Sequence, residues 1–336
     1  MKVKWLLTLP ILMLGLGLAA CSTTQSKSSA SSSSSGNSAK KTSQTTMTKT
    51  STDDSKADGS LKTVLSETKS KFKQLSYKDT KTGVTLKYNL YVPENYNKNK
   101  AYPLVSFIHD DSVTGKSTVS GLTQGYGGVI WATPSEQAKH ASFVVDPVFS
   151  TSTVSGGMGQ SGSAVVKKQV QTYLDLLKSL EKQYNIDQNR LYGTGQSMGG
   201  MTMFYLNSHY PKLFAATLYV SSQWDVKQLA ALKHQKFFYI VAGGDSTAVS
   251  GQNSLIKYLK QSNVAYTHRT LSATASAKTK NQVINQMLAK KANANFITWT
   301  SGSVLTNSQQ AMEHMASFDY GYTVPSVRDW LFNQRK

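Results

Sequence analysis

Beyond about residue 60, apolar β-rich runs alternate with stretches of helical spacing. This is the pattern of a mostly parallel sheet covered by helices on both faces. Gln74–Pro93 alternates about a turn at Lys81-Thr82-Gly83 and predicts a hairpin at one sheet edge. Tyr102–His109, Ala141–Asp146, Arg190–Thr194, Ala215–Val220 and Phe237–Ala242 predict central strands. The clearest helix is Val165–Tyr184, where Val166, Val170, Leu174, Leu177 and Leu180 share one face and read as core rather than a cofactor site. Met198–His209, closed by Pro211, predicts another helix. Past Ala242 the expected order is helix Ser254–Gln261, strand Val264–Thr270, helix Asn281–Lys291 and strand Asn295–Thr300. No internal repeat is visible.

The start of the chain has a different pattern. Lys2 and Lys4 precede an apolar run, Leu6–Leu18, too short for a durable membrane span, and a small-residue exit follows. Residues 1–20 therefore predict an export signal. Leu18-Ala19-Ala20-Cys21 resembles the lipobox of bacterial lipoproteins, which implies lipidation of Cys21 and anchoring at the outer face of the bacterial cell membrane. Cys21 is the sole cysteine, so neither a disulfide framework nor a thiolate zinc site can form. Residues 21–60 are Ser, Thr and Lys with almost no apolar side chains, a composition that cannot offset its own ordering entropy and predicts a tether. Residues 61–336 are then one domain with a full core.

Composition changes the picture only through charge. The formal net charge is +19, and without Lys2 and Lys4 it remains +17, from 35 basic and 18 acidic residues. Such a surface attracts polyanions. The lysines are scattered and no recognition motif accompanies them, so the expected contacts are anionic lipids and wall polymers rather than nucleic acid. Gly115-Lys116-Ser117 imitates the end of a phosphate-binding loop, but the first glycine of that motif would fall on Asp110, whose carboxylate opposes phosphate.

The strongest chemical signal is Gly195-Gln196-Ser197-Met198-Gly199, a G-x-S-x-G set between a strand and a helix. The serine of such a motif sits on a strained turn that leaves no room for side chains at the flanking positions. Ser197 is therefore the candidate nucleophile, placed at a helix N-terminus that favours developing negative charge. It needs a base oriented by a carboxylate, in the chain order serine, acid, histidine. Asp245, after Phe237–Ala242 through Gly243-Gly244, is the preferred acid, with Asp225 after the preceding strand as its rival. Of the histidines beyond Asp225, His234 precedes a strand and His268 lies inside one. His314 falls in a segment between the last strand and the final helix, read as a loop that delivers it over the sheet edge, with Glu313 turned to the surface. The histidines show no ligand spacing, so no metal or other cofactor is called for.

On these residues, together with Leu90-Tyr91-Val92-Pro93, Phe143–Pro147 and Tyr184–Asp187, the domain resembles the esterase and predicted-peptidase branch of the α/β-hydrolases, including polyhydroxybutyrate-depolymerase-like and feruloyl-esterase-like proteins. The resemblance implies a triad of Ser197, Asp245 and His314. It also implies an oxyanion hole from the backbone N–H of Met198 and of the residue after His109, Asp110. Where His-Gly-Gly is frequent, this chain has His109-Asp110-Asp111. Asp110 there is expected to cap the turn, with neutralisation of a carboxylate by a base such as Lys116, or a grip on the substrate, as the alternatives. His109, Gln196, Tyr126, Trp131 and Trp224 are the candidate pocket residues. The expected activity is cleavage of small-molecule or polymer-borne carboxylic esters through an acyl-enzyme. A serine peptidase of the same fold, or a non-catalytic lipoprotein that binds wall polymers, are the alternatives.

Overall fold

The computed structural model describes residues 56–154 and 164–336; the predicted signal, Cys21 and the tether as far as residue 55 lie outside the described residues. Its strands are β1 (Lys73–Lys78), β2 (Thr85–Tyr91), β3 (Tyr102–Ile108), β4 (Phe143–Val148), β5 (Ile186–Gln196), β6 (Ala216–Val220), β7 (Phe237–Ala242), β8 (Tyr266–Leu271) and β9 (Ala294–Trp299). They form one sheet in the order β1-β2-β4-β3-β5-β6-β7-β9-β8. β1 and β2 form the predicted antiparallel hairpin at one edge, β2 is antiparallel to β4, and every other pair is parallel.

The helices are α1 (Leu61–Thr68), α2 (Ser120–Thr123), α3 (Pro134–Lys139), α4 (Ala164–Gln183), α5 (Met198–His209), α6 (Ser246–Gln261), α7 (Ala277–Leu288), α8 (Glu313–Tyr322) and α9 (Pro325–Phe332). They cover both faces, and β7 shows why the pattern demands it. Phe237, Tyr239 and Val241 point into one core with Leu177 of α4, Phe204 of α5 and Leu255 of α6. Phe238, Ile240 and Ala242 point into the other with Ile284 of α7, Phe318 of α8 and Leu331 of α9. A strand buried on both faces reads as a continuous apolar run.

The chain reverses its direction of sheet growth at β3. β4 is added on one side of it and β5 on the other, so a crevice opens at the carboxyl ends of β3 and β5. Two helices begin earlier than their apolar spacing predicts. α6 starts at Ser246 rather than Ser254, because Asp245 Oδ1 accepts the Ala248 N–H at 3.1 Å. Its first two turns bury Ala248 and Gln252, which give no apolar stripe. Gln252 instead donates to the Tyr239 and Ile297 carbonyls. α7 starts at Ala277 rather than Asn281, capped by Ser276.

Candidate active site

Ser197 sits between β5 and α5 with φ 49° and ψ −118°, in a region L-residues rarely occupy. Neighbouring backbone enforces the turn. A Cβ on Gly199 would stand 2.0 Å from the Ile108 carbonyl oxygen, and one on Gly195 would stand 2.5 Å from the Gly199 carbonyl carbon. Both positions therefore require glycine for space, and α5 is pressed against the end of β3. The Ser197 N–H donates to the Val220 carbonyl at 3.1 Å, which ties the turn to β6.

Three side chains from separate elements meet here. His314 Nε2 lies 2.9 Å from Ser197 Oγ, and His314 Nδ1 lies 2.6 Å from Asp245 Oδ2. Since a carboxylate only accepts, Nδ1 carries the proton and Nε2 is left to accept from the serine hydroxyl. The Asp245 side chain is 6% exposed and that of His314 is 31% exposed, so the acid is shielded while the histidine reaches solvent. The Phe318 ring supports the imidazole edge-on at 5.2 Å. Asp225 takes no part, since its Oδ1 accepts the Lys227 N–H at 3.0 Å and caps a short 3-10 turn.

His314 is delivered by the first turn of α8, not by a loop as its position after the last strand predicts. Glu313 lies half-buried at the surface but is firmly engaged there. Its Oε2 accepts the Gly244 N–H at 2.9 Å, and its Oε1 accepts the Gly302 N–H at 2.7 Å and the Ser301 hydroxyl at 3.1 Å. This carboxylate at the start of α8 fastens the helix to the loop that presents Asp245. It also satisfies backbone donors in both loops.

Asp110 departs from the expected oxyanion role only in its backbone N–H, while its carboxylate takes the expected turn-capping role. Its N–H donates to Gln124 Oε1 at 3.3 Å and is therefore engaged. Its carboxylate caps a turn: Oδ1 accepts the Ser112 N–H at 2.6 Å, while Oδ2 accepts from Gln124 Nε2 and, at 3.4 Å, from Gln196 Nε2. Among the described residues it forms no ion pair with Lys116. Met198, the first residue of α5, and Asp111, the first of the following 3-10 turn, begin their helices and so have no intrahelical acceptor for their N–H groups.

The remaining pocket candidates separate. His109 is fully buried, its Nδ1 donating to the Asp110 carbonyl at 2.6 Å and its Nε2 accepting from the Phe149 N–H at 3.1 Å; burial pushes its pKa down and keeps it neutral. Tyr126 and Trp131 are core residues, donating to the Gly59 and Gly127 carbonyls. All three are buried and bonded inside the protein, and the apolar and glycine-rich pattern of residues 121–131 is that of a packed connection. Gln196 is buried against Asp110. Trp224 stands at the wall of a cavity of about 480 Å³, with Gln223, Asp225, Thr247, Ser250 and Ser254 beside the start of α6.

The chain has the α/β-hydrolase fold, and Ser197, His314 and Asp245 are arranged in the geometry of a serine–histidine–aspartate triad. Residues 160–290 match the prolyl oligopeptidase family model, a segment that holds Ser197 and Asp245 but stops before His314. No curated protein matches the sequence. Among solved structures, a thermostable esterase is similar at TM-score 0.64 and 24% identity, covering 80% of this chain and 64% of that one. The chain thus spans less than two thirds of that esterase. The feruloyl esterase module from Clostridium thermocellum is similar at TM-score 0.52 and 15% identity, over 78% of this chain and 88% of that one. The fluorophosphonate-binding serine hydrolase F of Staphylococcus aureus is similar at TM-score 0.51 and 12% identity, over 78% and 98%.

Proposed function

We propose that this protein is an exported, lipid-anchored carboxylic ester hydrolase. The observation that carries the chemistry is the continuous relay from Asp245 through His314 to Ser197, at 2.6 and 2.9 Å. Ser197 Oγ attacks the ester carbonyl while His314 Nε2 takes its proton, and Asp245 stabilises the imidazolium. The N–H groups of Met198 and Asp111 hold the oxyanion. On collapse of the tetrahedral intermediate, His314 returns the proton to the departing alcohol, leaving an acyl-serine that water, deprotonated by the same imidazole, hydrolyses.

Lipidation of Cys21 places the domain outside the membrane, and the excess of lysines holds it near anionic lipids and wall polymers. No helix among the described residues is long and apolar enough to cross a membrane. A peptidase is the second reading, favoured by the prolyl oligopeptidase match. Matched ester and amide substrates of one acyl group decide between the two. The esterase reading expects kcat/KM to favour the ester far beyond their difference in intrinsic reactivity, and hydrolysis of the amide at a comparable rate overturns it.

A further inference from the structure

At the opposite end of the sheet from Ser197, three potential metal ligands converge where α3 meets α9. His140 follows α3 and lies three residues before β4, so it belongs to the amino end of that strand, whereas the triad lies at the carboxyl ends. Glu136 and His140 are four residues apart and face the same way; Asp329 approaches from α9. The candidate donor atoms of Glu136, His140 and Asp329 all lie within 4.8 Å of one another. His140 Nε2 is 2.9 Å from Asp329 Oδ1 and 4.0 Å from Glu136 Oε1. Nitrogen and oxygen ligands at 2.0–2.2 Å from a tetrahedral zinc stand roughly 3.3 Å apart, so shifts of less than an ångström would bring this set into coordination.

Two further observations point to a cation. The Glu136 side chain is 2% exposed, yet its Oε1 accepts no hydrogen bond among the described residues. A buried carboxylate oxygen with no donor is costly unless a positive group completes it. The charges are also unequal. Arg328 pairs with Glu136 at 2.7 Å and with Asp58 at 2.8 Å, so two carboxylates share one guanidinium, while the third, Asp329, faces His140. Three carboxylates against one guanidinium leave a formal −2 before His140 is counted, which a divalent ion cancels. The His140 ring is held flat against Phe332 at 4.5 Å and 12°, so it is already oriented.

We propose that Glu136, His140 and Asp329 form a structural zinc site, with solvent as the fourth ligand on the side where Asp329 is exposed. One imidazole with two carboxylates suits zinc and its transition-metal neighbours better than calcium, which takes oxygen ligands. Bound there, the ion pins the C-terminal helix α9 to α3, and through Arg328 and Asp58 it also steadies the segment leading into the domain. The site is separate from the ester-cleaving machinery and does not rest on the functional reading above.

The test is a Zn²⁺ titration of the untagged full-length protein by calorimetry, repeated with Ca²⁺. One equivalent of Zn²⁺ should bind, with Ca²⁺ at least tenfold weaker. His140→Ala and Asp329→Asn should each lower Zn²⁺ affinity at least tenfold, while His234→Ala, an exposed histidine elsewhere, should not. At about 100 times its Kd, Zn²⁺ should raise the Tm of the parent by several degrees and leave that of His140→Ala unmoved. Ester hydrolysis by both site variants should stay within about twofold of the parent. No stoichiometric Zn²⁺ binding by the parent, or binding unaltered in both variants, overturns the proposal. In that case the cluster is a metal-free contact between His140 and Asp329.

Discussion

Glu313 Oε2 accepts the N–H of Gly244, so the residue before His314 is bonded to the residue before Asp245. The two triad partners are thus joined twice, once through their side chains and once through this brace. Glu313 touches no reacting atom; it is a positioning residue. Glu313→Ala should lower kcat about tenfold or more with KM nearly unchanged, since sub-ångström misplacement is costly in catalysis. Glu313→Gln, which keeps an acceptor oxygen, should recover a large part of the loss. Steady-state kinetics of the two variants check this, and equal activity of Glu313→Ala and parent would remove the brace from the account.

Much of this arrangement was legible in the sequence. The sheet strands and the Ser197 turn could be read because buried parallel strands leave unbroken apolar runs and the turn demands glycine on steric grounds. The role of Glu313 could not, because it depends on Gly244, Ser301 and Gly302, which adjoin it only once β7, β9 and α8 have packed. The helical placement of His314 is hidden in the sequence for a related reason. α8 is short and buries Ala316, Ser317, Phe318, Tyr320, Gly321 and Tyr322, a set spread around the helix that leaves no amphipathic stripe to recognise. His109, Tyr126 and Trp131 are buried where the sequence suggests a pocket lining, because aromatic and glycine-rich segments look the same whether they line a cavity or fill one.

Asp110 shapes the turn after β3 rather than facing the oxyanion. Asp110→Asn preserves an oxygen for the Ser112 N–H and should change ester hydrolysis by less than about tenfold. Asp110→Ala frees both Gln124 and Gln196 from their acceptor and should cost more, through a disordered loop at Asp111. A hundredfold gain in Asp110→Asn, measured on a simple ester, would mean that the carboxylate opposes catalysis after all.

Asp146 gives a pH signature to stability. Its carboxyl is fully buried, receives one hydrogen bond from Asn89 at 2.9 Å, and has its pKa pushed up to about 8 by burial. The folded state therefore holds this proton more tightly than the unfolded chain, whose aspartates titrate near 3.8. Stability supplied by the protonated form is complete below about pH 4 and is lost as pH rises toward 8, by up to about 1.4 kcal/mol per unit. Asp146→Asn, isosteric with the protonated acid, should remove that contribution. Denaturant melts of both proteins between pH 5 and 8 should show the parent losing stability relative to the variant, and parallel curves would contradict the assignment.

The proposed anchoring rests on Cys21. Cys21→Ala should move the protein from the membrane fraction to the soluble exported fraction without changing its activity on a soluble ester. Fractionation with immunodetection reads this directly, and retention of the variant in the membrane would show that another element holds it there.

In the proposed mechanism Ser197 is a nucleophile activated through His314 by Asp245. Single changes of Ser197→Ala, His314→Ala or Asp245→Asn should each remove at least about 10³-fold of kcat, with combinations adding little because the three act as a unit. The most direct measurement is labelling by a serine-directed fluorophosphonate, followed by mass spectrometry of the modified peptide. The parent should take up one equivalent on Ser197, His314→Ala should label far more slowly, and Ser197→Ala should not label at all. Equal labelling of parent and Ser197→Ala, or a modification mapped to another serine, would contradict the account.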